Sequence, residues 1–144
     1  MTEPASDRVF LDAAYAIALV NIDDALHGVA LALAQHIAKS RTKLITTRPV
    51  LLEIADGLSK PRYRQVAGEL LASIDRDPNV EIVELTETLY DSAFQLYRDR
   101  QDKGWGMTDC VSFIVMQSRG MTDALTHDIH FEQAGLRALM RGAT

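Results

Sequence analysis

One cysteine, Cys110, stands among 144 residues, so no disulfide can close within the chain. Its place in the run CVSFIVM suits a small buried side chain, and a reducing compartment is expected. No apolar run reaches the roughly 18 residues that a bilayer-spanning helix needs. The opening MTEPASDRVFLD lacks the basic region and apolar stretch of a secretory signal, so a cytoplasmic location with no membrane partner is expected. Positive charge is also scarce: 15 Lys and Arg against 20 Asp and Glu give a net charge of −5. That balance excludes a domain that grips nucleic acid by bulk positive potential, but not an enzyme whose acidic groups hold a metal. The local basic clusters Lys39, Arg41, Lys43 and Lys60, Arg62, Arg64 read as solvated surface charge. Neither GxGxxG nor GxxxxGK[ST] is present, which excludes the common phosphate cradles of α/β proteins. No G-x-S-x-G is present either, which excludes a nucleophile elbow.

What is there is an ordinary globular composition, 47% hydrophobic and 24% charged. A chain of this length buries about two-thirds of its unfolded surface, so one domain over residues 1–144 is expected. Val9-Phe10-Leu11 reads as a short buried strand, and the alanine-rich stretch after it as a helix. Leu26, Val29, Ala30, Leu33 and Ile37 form a helical stripe within 23–39, with Asp23 and Asp24 suited to its first turn. A strand over 43–46 leads into a helix opened by Pro49, and a further helix over 62–74 ends before the turn Asp77-Pro78-Asn79. The alternation in 80–85 predicts a half-buried strand, and Thr86 can cap the helix that follows. A helix over 108–119, a strand over 124–126, a short helical turn and the apolar segment 136–139 complete the chain. This interchange is the pattern of a three-layer α/β fold with a mostly parallel sheet, in which ligands gather beyond the carboxyl ends of the strands.

Acidic residues recur at those ends. Asp12 follows the first strand, Asp109 opens an otherwise apolar helix, Asp128 follows the strand 124–126, and Glu53 interrupts the run VLLEIA. A carboxylate in apolar surroundings is costly unless paired or bound to a cation. Two such charges about 5 Å apart repel by about 3 kcal/mol at an effective dielectric of 20. A divalent ion removes that penalty, and Mg²⁺ or Mn²⁺ suits carboxylate oxygens, water and phosphate. Phosphodiester hydrolysis is the expected reaction. Singly, Asp12 or Asp109 reads equally as a helix-start charge, and spacing alone does not bring the four together. GMTD occurs twice, ending at Asp109 and at Asp123; the second copy leads into a strand, so Asp109 is paired with Asp128 instead.

The segments VFLDAAYAIAL, TTRPVLLEIADGL, DKGWGMTDCVSFIVM and ALTHDIHFEQAGL carry a resemblance to the PIN-domain ribonucleases, in particular the VapC-type toxins of bacterial toxin-antitoxin pairs. They cover nearly the whole chain in the family's order. The resemblance implies an α/β/α fold with a mostly parallel sheet of about five strands, and a Mg²⁺- or Mn²⁺-dependent endoribonuclease acting on single-stranded or loop RNA. It also implies a homodimer, a cognate antitoxin, and convergence of Asp12, Glu53, Asp109 and Asp128 as catalytic, metal-holding carboxylates. Ala13 departs from the pattern, because many relatives carry Thr or Ser there, with a hydroxyl that orients the first aspartate.

Other residues weigh in. His27 and His36 fall on opposite flanks of one helix and cannot share a metal. His127 and His130 bracket Asp128 but lack the further ligands of a zinc set, and read as surface or substrate-side groups. Thr108 reads as a helix N-cap in preference to a contact with the metal site, and Trp105 as a packing anchor in preference to a base-stacking platform. Arg48 is the basic residue to test first for phosphate contact. Two rivals remain: a PIN-like module that binds RNA or protein without cleaving, motivated by Ala13, and a phosphatase with Asp12 as nucleophile. The latter lacks its usual second aspartate, which Ala14 replaces.

Overall fold

The structure, a computed structural model, describes residues 3–142. Five strands form one sheet: β1 (Arg8–Leu11), β2 (Lys43–Thr47), β3 (Val80–Val83), β4 (Asp123–Leu125) and β5 (Arg137–Ala138). Their order is β3-β2-β1-β4-β5, and every neighbouring pair is parallel. The helices that flank it are α1 (Ala13–Val20), α2 (His27–Ser40), α3 (Arg48–Gly57), α4 (Pro61–Arg76), α5 (Glu87–Asp99), α6 (Met107–Ser118) and α7 (Ile129–Gln133). No helix among the described residues is long and apolar enough to cross a membrane.

β1 is central because Val9, Phe10 and Leu11 are all apolar, and all three are buried. From β1 the chain builds outward through β2 and β3, then returns to add β4 and β5 on the other side. The direction of winding therefore reverses between β1 and β4, where the loops after the two strands part and leave a crevice. Asp12 follows β1 and Asp128 follows β4, so both lie at that switch point.

Beneath it, three phenylalanines from β1, α6 and α7 pack together. Phe131 lies edge-on to Phe113 with centroids 5.0 Å apart and 6.3 Å from Phe10, and Trp105 packs edge-on to Phe113 at 5.0 Å. All three phenylalanines are fully buried, and the Trp105 Nε1–H donates to Gln133 Oε1 at 3.1 Å. Trp105 is thus the packing anchor that its sequence position suggests.

Two local expectations are corrected. The second helix begins at His27, not Asp23, because side chains claim the backbone ahead of it: Asn21 Oδ1 accepts the Asp23 N–H at 3.0 Å and Asp24 Oδ1 accepts the Leu26 N–H at 2.9 Å. The third strand stops at Val83, and on this sheet edge Val80, Ile82 and Val83 are all half-buried, so strict alternation is lost.

The second GMTD copy has a structural task. Asp123, 4% exposed, accepts two hydrogen bonds from Arg137, its neighbour across β4 and β5, at 2.8 and 2.9 Å, and one from the Ala5 N–H at 2.6 Å. Burial raises its pKa, but these donors outweigh burial and hold the carboxyl below its usual range. Arg137→Ala leaves that carboxylate buried and unpaired, an expected loss of about 3 kcal/mol in urea unfolding at pH 7. Because the folded pKa is depressed, this contribution exists above the unfolded value and fades as pH falls through the folded one. The gap between wild type and variant should therefore close below about pH 4.

Candidate active site

Asp12 is the most enclosed of the four carboxylates, at 7% exposure. Its Oδ2 accepts a hydrogen bond from the Thr126 hydroxyl at 2.7 Å, and the same hydroxyl oxygen accepts the Asp128 N–H at 3.1 Å. Thr126, itself fully buried, therefore ties the end of β1 to the loop after β4 and orients Asp12. The hydroxyl that Ala13 cannot offer is supplied from the far end of the sequence.

Asp109 lies in the first turn of α6. Gly106 is the N-cap, and the Asp109 carboxylate reaches back to the Gly106 N–H at 3.4 Å. Thr108 is therefore not the cap: it is the second residue of the helix, and its hydroxyl lies near enough to Glu53 to favour that carboxylate's charged form. The helix therefore starts two residues earlier than a Thr108 cap would place it, with Gly106 in the extended conformation at the cap.

Asp128 caps α7 through Oδ1, which accepts the His130 N–H at 2.9 Å. The turn swings the His130 ring inward, placing Nδ1 3.0 Å from Asp109 Oδ2 and 3.4 Å from Asp128 Oδ1. One donor atom from each of Asp109, Asp128 and His130 lies within 4.8 Å of the others. Reading the sequence left His130 outside the cluster; the signal that locates it is Asp-x-His in a tight turn, which points both side chains the same way. His127 is exposed and outside this group.

Glu53 stands on the rim. The run around it is helical, so Val50, Leu51, Ile54 and Leu58 turn inward while Leu52 and Glu53 face out; the apolar neighbourhood expected of Glu53 is absent for that reason. Its charge still couples to Asp109 and Asp128. Arg48 is held elsewhere, paired bidentately with Glu84 and 3.8 Å from Asp75, so it does not face the cluster as an open phosphate contact.

Three of the four acids, Asp12, Glu53 and Asp109, are harder to ionise than free carboxyls. Burial, with Glu53 and Asp109 adding repulsion, pushes the Asp12 carboxyl up to about 7 despite its bonds to Thr126 and the Ala13 backbone. Glu53 and Asp109 are raised as well, first by desolvation and then by their acidic neighbours; the His130 contact lowers Asp109 in part. Among the described residues no lysine or arginine pairs with any of the four, and the one basic ring in contact with them is the His130 imidazole. Oxygen donors so clustered fit a hard divalent ion.

The PIN domain family model matches residues 9–136. The chain belongs to the PIN-domain family. A PIN-domain relative, the 23S rRNA-specific endonuclease VapC20 of Mycobacterium tuberculosis, is 28% identical over 127 residues, covering 88% of this chain and 94% of the relative. The crystal structure of that VapC20, a sarcin-ricin loop cleaving toxin, superposes with a TM-score of 0.78 at 25% identity over 90% of this chain and 96% of its own. VapBC2 from Rickettsia felis, crystallised with a DNA fragment from its promoter, gives a TM-score of 0.64 at 17% identity over 88% and 92% of the two chains, a likeness of fold alone. The five parallel strands and seven flanking helices are thus the PIN architecture.

Proposed function

We propose that this single PIN domain is a metal-dependent endoribonuclease, the toxin of a toxin-antitoxin pair, acting in the cytoplasm on single-stranded or loop RNA. What supports it is the group Asp109, Asp128 and His130, whose donor atoms lie within 4.8 Å of one another, with Asp12 and Glu53 close enough to couple electrostatically to Asp109 and no lysine or arginine, among the described residues, paired with these carboxylates. The rRNA endonuclease VapC20, aligned along most of the chain, supports the substrate class.

Asp12, Asp109, Asp128 and Glu53 would hold Mg²⁺ or Mn²⁺, which when bound supplies Lewis acidity toward the scissile phosphate. Thr126 fixes the orientation of the Asp12 carboxylate through its hydrogen bond to Oδ2. The His130 imidazole and the α6 start constrain Asp109 from two sides. The non-cleaving alternative loses its motivation once Thr126 provides the orienting hydroxyl.

Purified protein should cut RNA with Mg²⁺ or Mn²⁺ and stop with EDTA. Intact RNA with every divalent ion, from folded protein, would refute the reading. Expression should arrest growth, and co-expression of a small neighbouring gene, the cognate antitoxin, should relieve it.

The carboxylate pKa values give a second test. Asp12 is raised above its unfolded value, so its stability contribution is full below about pH 4 and is lost as pH rises through 7, a cost of up to about 4 kcal/mol. Metal-free protein should therefore melt at lower temperature at pH 8 than at pH 5.5. Saturating Mn²⁺ should raise the melting temperature by several degrees more at pH 8. Equal shifts at the two pH values would contradict a carboxylate-held ion.

A homodimer completes the proposal. Tyr90, Phe94 and Tyr97 are 46%, 41% and 47% exposed on one face of α5, with successive rings 6.2 and 6.5 Å apart and nearly parallel. An apolar row of this kind on a soluble surface marks an interface. Phe94→Glu should convert a dimer to a monomer in light scattering after gel filtration; a monomeric wild type would remove the proposal.

A further inference from the structure

The His130 imidazole is held where a metal ligand would be. Its main-chain N–H is bonded to Asp128 Oδ1 and the next residue, Phe131, is locked in the core, so the ring has little freedom to leave. On the outer side a methyl group at Gly104 would lie 3.9 Å from Nε2, so the loop before α6 passes beside the ring's far edge. Nδ1 faces the carboxylates at 3.0 and 3.4 Å. An octahedral ion with bonds of about 2.1 Å holds adjacent donors about 3 Å apart, so these separations are those of neighbouring ligands around one centre.

We propose that His130 Nδ1 is a metal ligand beside Asp109 and Asp128, and that this nitrogen makes the site prefer Mn²⁺ to Mg²⁺. The inference rests on the reading that the carboxylates hold a divalent ion. Mg²⁺ takes oxygen donors and keeps its waters, whereas first-row transition ions accept imidazole. Mn²⁺ is the one among them that also favours carboxylate and water. The other role for the ring is as a hydrogen-bond partner of Asp109 alone, and it has the opposite consequence: removing the ring would free a carboxylate oxygen and leave Mn²⁺ binding equal or tighter.

The test uses RNA-free, full-length protein. Free Mn²⁺ is counted by its electron paramagnetic resonance signal during titration, Mg²⁺ is measured by competition, and spin-echo modulation of bound Mn²⁺ reports coordinated nitrogen. Wild type should show ¹⁴N modulation that changes to ¹⁵N when histidine alone is labelled, a result that needs no variant. His130→Ala and His130→Gln should lose the modulation. Their Mn²⁺ Kd should rise about tenfold while that for Mg²⁺ changes less than about twofold. Bound Mn²⁺ without histidine modulation, or unchanged Mn²⁺ affinity in His130→Ala, overturns the inference. If Asp109→Asn abolishes that binding, the carboxylate site stands without His130. Wild type that binds no Mn²⁺ at millimolar concentration overturns both.

Discussion

Asp109→Asn should lower RNA cleavage by about 10³-fold or more under saturating Mg²⁺ or Mn²⁺ while the protein stays folded. Asparagine keeps the shape and can still lie against the Gly106 N–H, so the start of α6 survives. The lost helix-start charge costs only about 0.3–1 kcal/mol. Against that, the substitution removes one of several carboxylates that raise each other's pKa values, Asp12 and Glu53 among them. In EDTA at pH 8 the variant should therefore melt no lower than wild type. Rate and stability moving in opposite directions is the signature of a group kept for function at a cost to the fold. Quenched-flow or gel-based cleavage together with thermal melts in EDTA reads both. Cleavage within tenfold of wild type would remove Asp109 from the catalytic set.

Phe131→Ala should cost about 3–5 kcal/mol, about 10 °C or more in melting temperature for a chain of this size. The side chain is fully buried and touches aromatic rings from β1 and α6, so its removal leaves a cavity between three elements. It also sits between His130 and Glu132 on the short helix capped by Asp128, which has little other core contact to hold it. Metal affinity should fall along with stability. Leu33→Ala provides the comparison: Leu33 is as deeply buried, but on α2, which carries no site residue. It should show a similar loss of stability with Mn²⁺ affinity intact. Equal metal affinity in both variants would show that α7 does not depend on the aromatic cluster for its placement.

The sheet was legible because hydrophobic residues that are buried on both faces form short unbroken runs, as in Val9-Phe10-Leu11. Helices with a clear stripe were legible in extent except where side chains compete for backbone donors, as Asn21 and Asp24 do ahead of α2. The positions of Asp12, Asp109 and Asp128 at element ends were visible, but not their meeting, which depends on the order in which β1 and β4 lie side by side. Two residues escaped because their roles are long-range. Thr126 reads as one more β-former until the structure sets it against Asp12, and His130 reads as a surface histidine until the turn after Asp128 is folded. Arg48 shows the converse: a cation beside the site in sequence is bound to Glu84 in space.

The bond between Thr126 and Asp12 joins residues 114 apart in the chain. Synthesis delivers Asp12 first and Asp109, Asp128 and Thr126 last, with β4 still to be inserted next to an already formed β1. A nascent chain of the first hundred residues carries neither Asp109 nor Asp128, and β1 still lacks one of its two neighbours. The acidic cluster therefore assembles only after β4 and the loop beyond it have been made and β4 has paired with β1.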